Sequence, residues 1–350
     1  LRVGEVVEVY RKEPFTEISD GDGIVVYGLG PAEPQAQQAD SIIRVPKDYP
    51  TIQEAINVAS PGDTILVASG TYYESIDIHK SISLIGEDER TTNIRGSVYV
   101  HSSQVKISGF TIENPSNYWA GITLRKSENC IISNCTIKNF GAGIYLNLSN
   151  YNLIENNTCI LNEAGIHLNF SNNNIIKNNV CNSNEKFGIH LMGNSSNNVV
   201  VNNVCNSNGE IGINLQYFCN NNSLTKNTCI WNKMTNINIE GSSYNELLYN
   251  SLSMSARGIS LIGENTLGNR VNWNNIEGHK LGISEEPVNV NAIFNWWGDP
   301  SGPYHPTKNP NGLGDIVFDY ADFDPWSKEP ITNAPTLPRV LVGNLYICPR

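Results

Sequence analysis

The chain has 350 residues, a formal net charge of −11 and only 16% charged residues, enough for one large domain or two small ones. The acidic balance argues against a nucleic-acid partner, because phosphate binding needs a basic surface, and no apolar run is long enough to span a membrane. Asn is abundant; it is poor inside helices and strands but good at turns, so this chain must turn often.

In chain order, Leu1 opens the sequence without a methionine, as expected of a processed mature chain. Residues 1–40 hold "VGEVVEVY" and "GIVVYG", then "PAEPQAQQAD". Alternating β-branched residues predict two strands, and the Pro- and Gln-containing stretch a linker, together an N-terminal arm. Within "PTIQEAINVA", Thr51 and Glu54 predict a capping box, and Ile52, Ala55, Ile56 and Ala59 one apolar helical face.

A repeat then begins. Gly-Ile or a close variant recurs at Gly121, Gly143, Gly165, Gly188, Gly212, Asn236, Gly258 and Gly282, in steps of 22, 22, 23, 24, 24, 22 and 24 residues. Ile76 and Val98 extend the same phase backwards, giving ten turns. A fixed period of this size predicts a solenoid. Each repeat holds three short alternating pieces and no helix-length segment, so the predicted fold is all-β, a right-handed parallel β-helix with three strands per turn, roughly 48 Å long. Ile144, Ile166, Ile189 and Ile213 make one inward column, and Cys159, Cys181, Cys205 and Cys229 another, as small buried hydrophobes. Asn152, Asn174, Asn198 and Asn222 share one turn position, where stacked amides can bond.

The repeat stops near Asn295. "NWWGDPSGPYHPTKNPNGLGD" predicts an irregular cover whose tryptophans close the core. The β-helix with its covers spans residues 41–327, and residues 328–350 form a Pro-rich C-terminal arm with a last strand in "VLVGNLYICPR".

The stretch "YPTIQEAINVASPGDTILVASGTYYESIDIHKSISLIGE", the Gly-Ile repeats and "NWWGDPSGP" together resemble the pectin-lyase-like β-helix superfamily. The resemblance covers about residues 42–327 and is to the carbohydrate-binding and sugar-hydrolase repeat branch, which includes periplasmic copper-binding and archaeal surface proteins. It implies the fold. It leaves the function open, since this fold hosts lyases, hydrolases, epimerases, binding modules and structural proteins.

Sugar-cleaving enzymes of this fold need carboxylates, yet no aspartate lies between Asp88 and Asp299. The expectation is therefore a chain without catalysis. The outward column Thr123, Tyr145, His167, His190, Asn214, Asn238 and its neighbour Arg125, Asn147, Asn169, Met192, Gln216, Glu240 offer a sugar-binding face, with Tyr145, His167, His190 and Asn214 as candidates. No cofactor is expected. His167, His190 and Met192 are the secondary candidates for a metal such as copper, and Asp299, Asp315, Asp319, Asp322 and Asp324 for calcium. Cys219 and Cys348 fall outside the column and are the candidates for a disulfide; Asn147, Asn169 and Asn194 head sequons and are the glycosylation candidates. The leading expectation is a secreted cell-surface protein that assembles with copies of itself through its arms into a layer, sheath or filament. The alternatives are a module binding cell-surface polysaccharide, or a polysaccharide lyase or epimerase.

Overall fold

The computed structural model describes residues 41–115, 118–283, 288–332 and 334, and the backbone of Val340–Val342 and Leu345–Ile347. The described chain winds into a parallel β-helix. Sheet 1 has 13 strands, from Ile42–Val45 to Ala321–Asp322. Sheet 2 has 10, from Ile76–Ile78 to Leu281–Ile283, one for each turn read from the Gly-Ile phase. Sheet 3 is a run of five strands and a run of three, joined by single parallel bridges Thr158–Val180–Val204–Thr228. The register is that of the sequence repeat: Ile144 faces Ile166, Ile166 faces Ile189, and Ile189 faces Ile213.

The core holds the predicted columns. Cys159, Cys181, Cys205 and Cys229 are fully buried beside the isoleucines and leucines. Glycine opens the Gly-Ile motif because the next turn lies close: a Cβ on Gly143 would sit 2.5 Å from the carbonyl oxygen of Gly165.

Asparagine serves in two places. At one corner, Asn134, Asn156, Asn178 and Asn202 take left-handed backbone with φ of 51–57°, a conformation its short polar side chain tolerates. Inside, asparagines form three ladders, of which the sequence showed one. The first runs Asn152, Asn174, Asn198, Asn222, Asn245, Asn269, each Nδ2 donating to the next Oδ1. The second runs from Asn157 through Asn179, Asn203, Asn227, Asn250 and Asn274 to Asn295. The third runs from Asn162 through Asn184, Asn208 and Asn232 to Asn236. Asn179 shows the logic: its Nδ2 donates to Asn203 Oδ1 (3.0 Å) and Ile154 O (2.9 Å), while its Oδ1 accepts from Asn157 N and Nδ2 (3.0 and 3.1 Å). All four valences of the buried amide are filled.

Both ends are closed. The helix Ile52–Val58 buries Ile52, Ala55 and Ile56, and Ala59 follows them into the core. Only half of the expected capping box forms. Thr51 Oγ1 accepts from Glu54 N, but the remaining free amides, Ile52 N and Gln53 N, donate to Glu74 from the next turn. Gln53 also bonds both N–H and C=O of Asp77, covering the edge of sheet 2. At the far end Trp296 and Trp297 are buried and Trp326 packs against the core. The third ladder ends on this cover. Asn236 Nδ2 meets His279 Nε2 at 2.9 Å, and His279 Nδ1 meets Asp315 Oδ2 at 2.6 Å.

The expected last strand is a hairpin: Val340–Val342 pairs antiparallel with Leu345–Ile347. The N-terminal arm and Cys348 lie outside the described residues. Cys219, expected as a bridge candidate, is a buried core thiol. It fills a column of serines, its backbone N donates to Ser242 Oγ, and its Sγ lies 3.1 Å from Gln216 O. Burial pushes its thiol up to about 12. All seven described cysteines are free thiols.

Two substitutions check this account of the interior. Asn203→Ala should cost about 3 kcal/mol or more in urea unfolding, because it orphans buried groups on three turns. Cys181→Val should cost within about 1.5 kcal/mol, whereas Cys181→Asp buries an unpaired charge and should cost several times more. Equal midpoints for the last two would show that the thiol column is not core.

Candidate functional site

The register that aligns the core also aligns three outward columns on sheet 2. The first, just before the Gly-Ile motif, reads Ala120, Ala142, Ala164, Phe187, Ile211, Thr235, Arg257, Leu281. The middle column reads Thr123, Tyr145, His167, His190, Asn214, Asn238, Ser260. The third reads Arg125, Asn147, Asn169, Met192, Gln216, Glu240, Ile262. The middle column is the floor of a groove. Although it faces out, His190, Asn214, Asn238 and Ser260 are buried, because the flanking columns rise beside them.

The four sequence candidates Tyr145, His167, His190 and Asn214 therefore stand together on consecutive rungs. Rings run along this floor. Trp119 meets Tyr145 edge-on at 4.3 Å, Tyr145 meets His167 at 5.2 Å, His167 stacks on His190 at 4.7 Å, and Phe187 lies 4.6 Å from His190. Trp119 itself is half exposed. Beyond His190 the floor becomes amide and carboxylate. His190 Nε2 is 3.1 Å from Gln216 Oε1, and Gln216 Nε2 donates to Glu240 at 2.7 Å. Since the Gln216 amide nitrogen faces a carboxylate, its oxygen accepts and His190 carries its proton on Nε2. Asn238 Nδ2 donates to Asn214 Oδ1 at 2.9 Å. Two buried floor atoms have no partner: His167 Nε2 and Asn214 Nδ2.

Burial, with His190 alongside, pulls the His167 pKa down to about 3. Burial likewise pulls His190 down to about 4, against the opposing effect of its bond to Gln216. Both imidazoles are neutral at pH 7, so the floor presents polar atoms without charge.

The other candidates are dispersed. Asn169 Nδ2 lies 3.4 Å from Tyr145 Oη, Asn147 is half-buried beside it, and Asn194 is exposed at a corner. Asp315 is spent on His279 and on the Gly278 N–H and Asp299 on Ser301, while Asp319 is exposed, 3.1 Å from His305 Nε2. Asp322 lines a separate depression with Lys308 and Tyr320. Sequence reasoning missed Trp119, Phe187 and Arg257. Arg257 was legible as the one charged residue before a Gly-Ile and Phe187 as the first large residue after three alanines, while Trp119 lies between repeats and only the folded turn brings it over Tyr145.

Two family models match: a right-handed β-helix region over residues 96–228, and the periplasmic copper-binding protein NosD over residues 181–295. No curated protein matches the sequence. Among solved structures, the A-module of the mannuronan C-5 epimerase AlgE4 of Azotobacter vinelandii aligns at 13% identity and TM-score 0.63, over 74% of this chain and 89% of that one. An alginate lyase from a Paenibacillus species aligns at 15% identity and TM-score 0.56, over 73% and 98%. The Dettilon tailspike aligns at 14% and 0.56, over 79% and 68%. At these identities the likeness is one of fold.

Copper needs nitrogen or sulfur ligands converging on a point. His167 and His190 instead stack face to face, 27° apart, with His190 Nε2 held by Gln216. Among the described residues no three His, Cys, Asp or Glu groups converge on a common point. The stacked histidine pair does not fit the metal in that family's name.

The neutral histidine pair has a pH signature. Both folded values lie below the ordinary 6.5, so the unfolded chain binds more protons once pH drops below about 6.5. Their contribution is complete above that pH and is lost steadily as pH falls towards the folded values of about 3 and 4. His167→Asn should shallow the fall in melting temperature between about pH 6.5 and 4. An unchanged acid limb in the variant would mean that His167 is not desolvated.

Proposed function

We propose that this chain, whose fold is that of the pectin-lyase-like right-handed β-helix superfamily, binds an extended polysaccharide in the groove of sheet 2. The observation that carries the reading is the groove itself: a run of rings from Trp119, half exposed, to His190, flanked by the half-buried amides Asn147, Asn169 and Gln216. Sugars present apolar ring faces that stack on aromatic side chains and hydroxyls that bond amides. Rungs about 4.8 Å apart repeat these contacts along the rod axis, which suits a polymer better than a single small ligand. Neighbours of the same fold include enzymes named for mannuronan and alginate, which supports choosing uronate polymers among the probes. The periplasmic family name and a periplasmic alginate epimerase among the neighbours support a setting outside the cytoplasm.

A second reading, lyase or epimerase chemistry on a uronate, draws support from the neighbours named for alginate and mannuronan and from the phenol of Tyr145 on the groove floor; the desolvated His167 is a weak proton acceptor. Assembly into a surface layer rests on arms that include residues 1–40 and Cys348, outside the described residues, and the groove gives the polysaccharide reading the stronger support.

A glycan array carrying alginate, pectate and neutral glucans tests binding. Tyr145→Ala and Trp119→Ala should each weaken the polymer that binds by about threefold to tenfold, with unchanged melting temperature for Trp119→Ala. Absence of binding to every polymer would overturn the proposal. Appearance of unsaturated uronate ends, or inversion at the sugar carbon bearing the carboxylate, would establish the second reading.

A further inference from the structure

The groove does not end with its aromatic half. Four rungs beyond Tyr145, on the strands Thr235–Glu240 and Arg257–Ile262, it deepens into a cavity of about 390 Å³. Gln216, Thr235, Asn238, Glu240, Arg257 and Ser260 supply its polar lining, and Ile211, Met234 and Leu281 its apolar wall. The mixture of an apolar wall with a few converging polar groups is that of a ligand pocket, and the size suits one sugar ring.

Arg257 is the unusual member. Its column otherwise holds alanine, phenylalanine, isoleucine, threonine and leucine. It is half-buried, and its guanidinium forms no ion pair or hydrogen bond among the described residues, whereas Arg90, Arg95 and Arg270 each face a carboxylate. A guanidinium with no carboxylate beside it has its fork of donors free for an anion from outside the chain. The nearby carboxylate does not supply one. Arg257 pairs in register with Thr235, and Glu240 is five residues further along that strand, about 16 Å at the backbone. Glu240 is turned to Gln216, which in turn holds His190.

We propose that this cavity is an acidic-sugar subsite, in which Arg257 receives the carboxylate of a uronate residue while Asn238 and Ser260 receive its hydroxyls. The inference rests on the polysaccharide reading above and narrows it to an anionic polymer. The arrangement suits a carboxylate at one end only. The guanidinium fork matches it with two parallel hydrogen bonds, and the repulsive Glu240 stands at the far end of the strand, beyond the reach of the same sugar ring. It also explains how a chain of net charge −11 can hold an anion: the attraction is local, within a half-buried site where screening is weak.

The test compares oligogalacturonides with the same oligomers after reduction of their carboxyl groups to neutral alcohols, by isothermal titration on the full chain. The wild-type protein should prefer the acidic oligomer by about tenfold or more. Arg257→Gln should lose that preference yet keep its affinity for the reduced oligomer, with Arg257→Lys intermediate because a point charge lacks the fork. Melting temperatures within a degree or so of wild type would show that the variants fold. Equal wild-type affinity for both oligomers, or a preference unchanged in Arg257→Gln, overturns the subsite and leaves groove binding standing. Failure of the wild-type chain to bind either oligomer overturns the subsite, and only failure on every polymer of the array removes the groove reading as well.

Discussion

Every part of this molecule depends on one constraint: each turn must match the next in register, rung on rung. A buried isoleucine in one turn is covered by an isoleucine in the next, and a buried side-chain amide is satisfied by the amides and backbone groups of the turns above and below it. The constraint acts on polar and apolar groups together. An apolar column tolerates Cys for Ile, since both fill space, but an amide ladder admits no gap, because a missing rung leaves buried donors and acceptors on both sides. This is why the ladders run unbroken through the middle of the rod, and why the third hands over to His279 and Asp315 at its end.

The same register produces the groove. Inward positions are fixed by stacking, and in-register strands then force the outward positions into columns whether or not those side chains need one another. Such columns are free to change along the rod. On sheet 2 the floor passes from Tyr145 through His167 and His190 to Asn214, Asn238 and Ser260, while the flanking column passes from alanine to Phe187, Ile211, Thr235 and Arg257. Where the flanks are small the floor is open and aromatic. Where they are large the floor is enclosed and polar. One scaffold thereby carries an aromatic half and a polar half on a single face.

Asparagine illustrates how composition can be read correctly yet incompletely. Its abundance implied many turns, and the left-handed corners at Asn134, Asn156, Asn178 and Asn202 are those turns. Its second use, as three interior ladders, needed knowledge of which corner positions point inward. The sequence repeat reveals that positions are equivalent; it does not reveal which side of the wall they occupy once the backbone leaves the alternating strand. Leu161, Phe170 and Trp231 make the same point from outside: bulky residues hold positive φ at corners, against local preference, because the stack above and below fixes the path.

The sequence by itself determined the fold, the phase of the ten turns, the inward columns of isoleucine, leucine and cysteine, and the rungs on which Tyr145, His167, His190 and Asn214 stand. A period-two pattern inside a 22- to 24-residue period leaves no other arrangement for those side chains. Tertiary structure alone decided the rest. It buried Cys219 among serines, turned Glu74 to the helix start in place of Glu54, neutralised the two stacked histidines by desolvation, and set Arg257 unpaired at the edge of a cavity. These outcomes depend on what covers a side chain and on which partner reaches it first. Coverage and reach are properties of three neighbouring turns at once, and no single repeat encodes them.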